Sequence, residues 1–493
     1  MNGALHGLLD AAVSSRPEAN AVRDSRGCWT YAELHAASRQ VAWWLWQRGI
    51  RCGDRVLITA MPERRTAAML YGCSRVGAVF VPVSPQTGPL HWRHFVDDAA
   101  PALVVAEATR HPVGGVAALT HEQVWQEAIA ASPREPPGPG PGGDDTAMLI
   151  YTSGSTAAPK AVVCPHKAVR FVTDAVAQRL GYHASDVVFC RLPLSFDYGI
   201  YQILLCARAT CELVLAGADG DSRLLAALRG CAATIVPIVP LLATMLLRHR
   251  ARDSRPTGVR LFTNTGERLT PATINRLRDS FPAAAVQLMF GTTECKRITI
   301  SAPDGDLIKP ESVGWPLPGT TVQILDDDGH PVTPGDQGEI VVSGPHVMAG
   351  YWRDEEASAR VFRRDPVTGQ TLLHGGDFGH LDQDGHLYFH GRRDSVFKQH
   401  GIRTSTAEIE AAAQDVPGVA QAIAFPPTEV RTAAVVVATA LSATEVLRQL
   451  RLRLDSTKVP AQCRVVAELP ETVGGKVDRQ ALSAMLDAGK ETA

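Results

Sequence analysis

Apolar and polar positions along the chain follow two rhythms, one typical of amphipathic helices and one of short strands. The clearest helix is predicted within residues 29–50, "WTYAELHAASRQVAWWLWQRGI". Thr30 and Glu33 at its start have the spacing of a capping box, which satisfies free backbone N–H groups, and Gly49 ends the helix. Its core positions recur at helical spacing: Leu34, Ala37, Val41 and Trp44.

Short apolar runs bounded by turn residues predict buried strands, and helical patterns lie between them. This alternation is typical of α/β sheets that are covered by helices. From about residue 313 the pattern changes to short strands with tight turns, and a smaller unit of helices and strands follows residue 393. The buried runs are "DRVLITA" (54–60), "GAVFVPVSP" (77–85), "PALVVAE" (101–107), "ATIVPIV" (233–239) and "VRLFTNTG" (259–266).

Length and charge narrow the possible classes of function. The 493 residues exceed one ordinary core, so two or more domains are expected. The net charge is −2 and no basic stripe is present, so neither a nucleic-acid nor a membrane partner is expected. No apolar window reaches ~18 residues, and no secretory signal is recognisable. Ten cysteines without a CxxC pair favour a reduced, cytoplasmic compartment.

The stretch "LIYTSGSTAAPKAVV" (149–163) carries the first candidate chemistry. An apolar strand leads into hydroxyls and glycine, and Lys160 follows Pro159 at the end. Backbone N–H groups, short hydroxyls and one cation are suited to phosphate oxygens. The spacing is not that of a Walker loop, and the proline argues against a helix starting there. An ordinary polar turn is the alternative interpretation of this stretch taken alone.

Eight motifs in order resemble those of the adenylate-forming superfamily, which includes acyl-CoA ligases, nonribosomal peptide adenylation domains and luciferases. The resemblance covers nearly the full length. It implies a large N-terminal domain of layered sheets with a β-barrel-like subdomain (1–393) and a small α+β C-terminal domain (394–493) joined by a hinge. The motifs are "WTYAEL" (29–34), "SRVGAVFVPVSP" (74–85), "YTSGSTAAPKAV" (151–162), "FGTTE" (290–294), "GEIVVSGPHVMAGYW" (338–352), "GGDFG" (375–379), "GRRDSVFKQHGIRTSTAEIE" (391–410) and "PETVGGKVDR" (470–479).

The resemblance implies roles in binding ATP and magnesium. Phe290 takes the place of an adenine-stacking aromatic residue, and Glu294 with Thr156 that of the magnesium ligands. Asp377 is expected on the ribose hydroxyls and Arg392 on the same nucleotide. Lys476 matches the C-terminal lysine that bridges substrate carboxylate and α-phosphate, and Asp394 matches the hinge. The remaining nucleotide-binding positions are Thr152, Ser153, Gly154, Ser155, Lys160, Gly291, Thr292 and Thr293.

The acid-binding residues follow from the same motifs. Asp197, in "LPLSFDYGIYQ", lies where amino-acid-activating members hold the substrate ammonium, although it is also suited to cap the following helix. Arg297 is open to three interpretations: a structural pair with Asp197, a ligand for a second substrate carboxylate, or a solvent-exposed side chain. Motif offsets place the other lining residues at Tyr198, Tyr201, Pro237, Thr263, Thr265, Met289 and Ile298.

The implied reaction is a two-step ligation. A carboxylic acid forms an acyl-adenylate, and a thiol then takes the acyl group. The acid is expected to be an amino acid, with β-amino and dicarboxylic amino acids as candidates. The first expectation for the thiol is the phosphopantetheine arm of a carrier protein acting in trans; an acyl-CoA ligase is the alternative. Ala157 and Ala161 replace glycines usual in the family, which leaves a catalytically silent binding homologue as a third hypothesis.

Overall fold

The computed structural model describes residues 3–107, 116, 118–130, 133–152, 159–217, 223–392, 396–399, 402–428, 431–454, 458–471 and 477–488. Fourteen α-helices lie within these ranges. They are α1 (His6–Ser15), α2 (Tyr31–Gln47), α3 (Arg64–Val76), α4 (Pro89–Ala99), α5 (His121–Ile129), α6 (His166–Leu180), α7 (Asp197–Ala209), α8 (Leu224–Gly230), α9 (Pro240–Arg250), α10 (Pro271–Ser280), α11 (Glu355–Val361), α12 (Thr406–Gln414), α13 (Ala443–Leu450) and α14 (Arg479–Ala488).

The described strands form five sheets. Up to residue 300 they are β1 (Asn20–Asp24), β2 (Gly27–Thr30), β3 (Arg55–Thr59), β4 (Val79–Val83), β5 (Leu103–Val105), β6 (Ala118–Leu119), β7 (Thr146–Thr152), β8 (Lys160–Pro165), β9 (Val187–Cys190), β10 (Glu212–Leu215), β11 (Ile235–Ile238), β12 (Leu261–Asn264), β13 (Ala285–Phe290) and β14 (Thr299–Ile300). Beyond it they are β15 (Trp315–Pro316), β16 (Thr321–Leu325), β17 (Gly338–Ser343), β18 (Phe362–Arg364), β19 (Thr371–Leu381), β20 (Leu387–Arg392), β21 (Val396–Gln399), β22 (Ile402–Ser405), β23 (Val419–Phe425), β24 (Ala434–Thr439) and β25 (Gln462–Val466).

The described chain divides into two compact units. The first comprises Met1–Leu269, Thr273–Val322 and Val342–His374, and the second Thr270–Ala272, Gln323–Val341 and Gly375–Ala493. The predicted domain boundary at 393/394 falls within residues 393–395, which lie outside the described residues. That boundary therefore stays a prediction. No helix in the described ranges is long and apolar enough to cross a bilayer.

Two sheets form the first unit. The nine-stranded sheet has the order β15-β14-β13-β12-β11-β9-β10-β1-β2, and its neighbours from β13 to β1 run parallel. The six-stranded sheet has the order β6-β5-β3-β4-β7-β8. Strands β3, β4 and β11 are almost wholly buried, which agrees with their continuous apolar sequences. The predicted α/β class is therefore confirmed.

Helix α2 begins as its sequence predicts. The Thr30 hydroxyl accepts a hydrogen bond from the N–H of Glu33 at 3.2 Å, and the Glu33 carboxylate accepts one from the N–H of Thr30 at 2.7 Å. Gly49, just beyond the helix, has φ of +84°, a conformation that favours glycine. Helix α3 packs closely on α2 because Gly72 lacks a Cβ, which would lie 2.4 Å from a methyl carbon of Val41. The four predicted core positions of α2 are all buried.

The second unit contains the three-stranded sheet β23-β24-β25, whose central strand is buried along almost its whole length. Ile409 of α12 and Val446 of α13 pack in one cluster with Val435 and Val437 of β24. This is the predicted α+β arrangement. The short strands beyond residue 313 include β16 to β20, which form a five-stranded sheet. Strands β19 and β20 pair antiparallel, with Asp377 opposite Arg392.

Candidate functional site

The residues predicted to line the acid pocket lie at the carboxyl ends of parallel strands and on the first turns of α7. Pro237 of β11 and Thr263 of β12 are paired across neighbouring strands, and Met289 lies near the end of β13. Ligands of open α/β sheets bind at this edge, where strand ends and loops converge. Helix α7 contacts the preceding loop closely because Gly199 lacks a Cβ, which would lie 2.2 Å from the carbonyl oxygen of Pro193.

Asp197 and Arg297 face each other in this pocket. Nη1 of Arg297 lies 4.0 Å from Oδ2 of Asp197, and both side chains are largely buried. The same Nη1 donates to the carbonyl of Lys296 at 2.5 Å, and the guanidinium stacks over the Tyr198 ring at 5.1 Å. Arg297 as a whole is 7% exposed, so the interpretation of a solvent-exposed side chain was wrong. Asp197 is the first helical residue and Phe196 the N-cap, so Asp197 does not act as the cap of α7.

The aromatic and hydroxyl residues predicted for this pocket are buried around that pair. The Tyr198 hydroxyl contacts the carbonyl and the hydroxyl of Thr263 at 2.7 and 2.8 Å, and burial raises the pKa of Tyr198. Within the described chain, the hydroxyls of Tyr201 and Thr265 are buried without a hydrogen-bond partner. Unpaired buried hydroxyls are costly unless a ligand or water supplies the partner. The site residues themselves remain predictions.

Lys296 is a buried cation beside the predicted pocket residues Arg297 and Tyr201, and the sequence motifs did not single it out. It is 1% exposed, its ammonium makes no hydrogen bond to an oxygen or nitrogen atom among the described residues, and it lies near the Cys164 thiol and 5.9 Å over the Tyr201 ring. Burial raises the pKa of the Cys164 thiol, and the positive charge of Lys296 partly offsets that increase. The backbone of Lys296 has a φ of 67°, a region uncommon for residues other than glycine. The sequence feature that could have identified Lys296 is the pair of consecutive cations between Cys295 and Ile298, which are both buried.

The turn after β13 presents the predicted adenine and magnesium residues. Phe290 ends the strand and is only partly buried, and its carbonyl accepts a hydrogen bond from Ile298. Gly291 permits the turn, since a Cβ there would lie 2.4 Å from the carbonyl oxygen of Lys296. The carbonyl of Thr292 accepts a hydrogen bond from the N–H of Lys296 at 2.6 Å. The next two residues, Thr293 and Glu294, are half-buried.

Lys160 and Glu294 are connected through the segment that follows β17. Nζ of Lys160 lies 2.9 Å from Oδ2 of Asp354 and 5.5 Å over the ring of Tyr351. The Tyr351 hydroxyl donates to Oε1 of Glu294 at 2.7 Å. The structure thus brings Lys160 and Glu294 together, although they belong to separate sequence motifs. The connecting residues, Asp354 and Tyr351, were not among the predicted site residues.

The phosphate loop is only partly described. Thr152 and Lys160 are paired at the open end of the β7–β8 ladder, so Lys160 begins a strand rather than a helix, as Pro159 led us to expect. Ala161 lies within β8 and is not among the residues with positive φ, so alanine is free of strain there. Ser153, Gly154, Ser155, Thr156 and Ala157 lie outside the described residues.

The second unit carries the remaining predicted nucleotide residues. Asp377 is 5% exposed on β19, and Arg392, its partner across β20, donates to the carbonyl of Gly375 at 3.4 Å. Asp394 and Lys476 lie outside the described residues. Residues 472–475 also lie outside the described residues, and Glu471 bridges Val477 in antiparallel fashion. Their roles stay predictions.

Comparison with known proteins defines the class. A family model described as AMP-binding enzyme matches residues 9–352, so the chain belongs to the AMP-binding enzyme family. Feruloyl-CoA synthase of Amycolatopsis sp is 30% identical, over 94% of both chains. Nonribosomal peptide synthetase 5 of Aspergillus fumigatus is 28% identical over 98% of this chain, which corresponds to 22% of that protein. The chain spans between 6% and 39% of the length of the first synthetase relatives it matches.

Solved structures give the same class. The crystal structure of VinN is 43% identical, covers 79% of this chain and 99% of its own, and superposes with a TM-score of 0.74. VinN has also been solved with L-aspartate and with 3-methylaspartate. ATP-bound MatB from Rhodopseudomonas palustris is 25% identical over 99% of both chains, with a TM-score of 0.88. The family match and these similarities therefore place the chain in the class of AMP-forming ligases.

Proposed function

We propose that the enzyme activates an amino dicarboxylic acid of the aspartate type. The observation that carries this proposal is an excess of buried positive charge: Arg297 lies 4.0 Å from the carboxylate of Asp197, and the neighbouring Lys296 is a second buried cation. A buried charge without a partner costs several kcal/mol. A ligand with one ammonium group and a second carboxylate, beside the one that reacts, balances that excess.

The contacts around the pair support this assignment. At 4.0 Å the Arg297–Asp197 contact is too long for a hydrogen bond, so each group retains capacity for a ligand. The substrate ammonium binds Asp197, and the distal carboxylate binds the guanidinium of Arg297 and the ammonium of Lys296. The hydroxyls of Tyr201 and Thr265, unpaired within the described chain, are further donors. That VinN was solved with L-aspartate and 3-methylaspartate is consistent with a pocket of this kind.

The described residues also fit ATP and magnesium. Oε1 of Glu294 accepts the hydrogen bond from Tyr351, and no donor to its other oxygen lies among the described residues. A half-buried carboxylate oxygen suits a hard cation, and Thr156 is the second predicted ligand. These residues would hold the magnesium ion, which would supply positive charge to the pyrophosphate leaving group. Phe290 offers a ring face to adenine and Lys160 a cation to the phosphates, and the contact of Asp377 with the ribose stays a prediction.

The chemistry proceeds in two steps. A substrate carboxylate oxygen attacks the α-phosphorus of ATP, pyrophosphate leaves, and an acyl-adenylate remains. Lys476 stabilises the charge that develops between carboxylate and phosphate, and the protein otherwise contributes positioning. Rotation about Asp394 then admits the thiol, whose sulfur forms the thioester as AMP leaves.

We infer that the thiol belongs to the phosphopantetheine arm of a separate carrier protein, as in natural-product biosynthesis. The similarity to nonribosomal peptide synthetases supports this acceptor. The similarity to feruloyl-CoA synthase over 94% of both chains favours coenzyme A as the second candidate. Mass analysis of the thioester after incubation with both acceptors separates the two. Exclusive formation of acyl-CoA would contradict the first choice.

Pyrophosphate release with a panel of acids tests the substrate. The panel contains aspartate, 3-methylaspartate, glutamate, asparagine, succinate and β-alanine. Aspartate-type diacids should support release, whereas asparagine, β-alanine and succinate each lack one of the charged groups that the pocket binds. Comparable rates with asparagine, β-alanine or succinate would contradict the proposal.

A further inference from the structure

Asp354 forms an ion pair with the ammonium of Lys160. The two charged atoms are 2.9 Å apart, and the side chains are 26% (Lys160) and 36% (Asp354) exposed, so the pair lies at an accessible surface. Lys160 also rests over the face of Tyr351. Within the described residues Asp354 is the carboxylate that forms a salt bridge with Lys160.

The segment that carries Asp354 is firmly held. Oδ1 of Asp354 accepts from the N–H of Ala357 at 2.9 Å and thereby caps α11. The Ser358 hydroxyl donates to the carbonyl of Asp354 at 2.7 Å and accepts from the N–H of Tyr351 at 2.8 Å. The two carboxylate oxygens of Asp354 therefore make different contacts: Oδ1 caps the helix, and Oδ2 forms the ion pair with Lys160. The Ala357 N–H and Lys160 lower the pKa of Asp354, which keeps it charged at neutral pH.

The carboxylates near Lys160 disfavour the binding of a negatively charged triphosphate. Asp354 neutralises Lys160, and the same segment holds Glu294 through the Tyr351 hydroxyl. The side chains of Lys160, Asp354 and Glu294 therefore carry a net charge of −1. A phosphate that binds Lys160 must replace the carboxylate or share the ammonium with it, and either cost reduces affinity.

We propose that Asp354 sets the affinity for ATP by competing with its phosphates for Lys160. The inference rests on the proposed role of Lys160 in binding the nucleotide. ATP exchanges one anion for another at a fixed cation, and departure of pyrophosphate restores the original pair. Asp354 is thus a positioning residue that weakens nucleotide binding and favours product release.

Substitution of Asp354 by asparagine separates the ion pair from the cap, because asparagine caps helices about as well as aspartate. We expect D354N to bind α,β-methylene-ATP with magnesium, measured by calorimetry without acid, about three- to fivefold more tightly than the wild type. The matched control is E356Q, which removes an 87% exposed carboxylate from the same helix and should leave the dissociation constant unchanged. In turnover, D354N should lower the KM for ATP and not raise kcat.

A double-mutant cycle with K160M shows whether the effect passes through Lys160. K160M should weaken binding, and D354N should add nothing in that background. Equal or weaker binding by D354N in the wild-type background, or a gain that persists with K160M, would overturn the inference while leaving the proposed function intact. If K160M binds the analogue like the wild type, the nucleotide role of Lys160 fails and this inference fails with it.

Discussion

The guanidinium of Arg297 lies 4.0 Å from the carboxylate of Asp197, within range for charge attraction but beyond hydrogen-bond distance. These residues are 100 positions apart and come from α7 and the turn after β13. A structural ion pair of this burial is expected to make direct hydrogen bonds, because desolvated charges otherwise lose more than they gain. The separation therefore favours a ligand that binds to both.

Replacement of Arg297 by methionine should reduce kcat/KM for an aspartate-type substrate by about 2–5 kcal/mol, since a desolvated carboxylate loses its partner. Rates with asparagine should change little, because the amide does not require a cation. The measurement is steady-state pyrophosphate release with the two substrates. Equal losses for the acid and its amide would indicate a purely structural role for Arg297.

Replacement of Lys296 by methionine should have opposite effects on activity and stability. Activity with the diacid should fall, whereas the free energy of unfolding should rise by about 1–3 kcal/mol because an unpaired buried ammonium is removed. Methionine keeps the length of the side chain and leaves the positive φ of residue 296 unchanged. Thermal denaturation of the substrate-free protein is the test. A marked fall in stability would mean that Lys296 has a stabilising partner in the folded state.

Lys476→Ala should lower the rate of adenylation by about 10²–10³, the loss typical of one group matched to developing charge. Formation of the thioester from a pre-made adenylate should suffer less. The two half-reactions are measured separately, by pyrophosphate release and by consumption of the adenylate. Equal damage to both would contradict the assignment of Lys476.

Asp394→Pro should show the reverse pattern, because proline restricts the backbone at the predicted hinge. Adenylation should proceed while thioester formation slows. A normal rate of thioester formation in this variant would refute the hinge assignment.

His166 should make stability depend on pH. It is fully buried, its Nδ1 accepts from the N–H of Leu5 at 3.2 Å, and burial lowers its pKa to about 4. The unfolded state titrates near ~6.5, so the stabilisation is present above that pH and is lost as pH falls towards 4. The loss through this one group is about 3 kcal/mol.

The difference between the free energies of unfolding at pH 7 and pH 5, measured with urea, should therefore be smaller in His166→Asn than in the wild type. Asparagine keeps a hydrogen-bond acceptor near the position of Nδ1. His346, also buried with its pKa lowered to about 4, stays in both proteins and serves as the common background. An identical pH effect in variant and wild type would show that His166 is protonated alike in the folded and unfolded states.

Local patterns predicted the elements of the fold well. The capping box of Thr30 and Glu33 defines the start of α2, and the apolar sequences of β4 and β11 correspond to buried strands. Such features depend on neighbours within a few residues, so the sequence contains them directly. Alanine at position 161, where the family usually has glycine, is accommodated because that residue lies in a regular strand.

The electrostatic details of the site depend on distant residues and could not be read from the sequence. Lys160 and Asp354 are 194 positions apart, and their ion pair follows from how β8 and the segment after β17 pack. Lys296 was overlooked because a lysine is rarely buried, and its place beside a tight turn has no signature in residue spacing. The family motifs identified which residues to consider, whereas their charges and partners required the structure.

The ratio of kcat/KM for aspartate to kcat/KM for asparagine, measured by pyrophosphate release, tests the central claim most directly. The two substrates are nearly isosteric and differ by the charge that Arg297 and Lys296 are proposed to bind. The account predicts a ratio of about 10² or more, corresponding to about 3 kcal/mol from a desolvated charge pair. It also predicts that the ratio collapses in Arg297→Met. A ratio near one, or a preference for asparagine, would contradict the proposed substrate class.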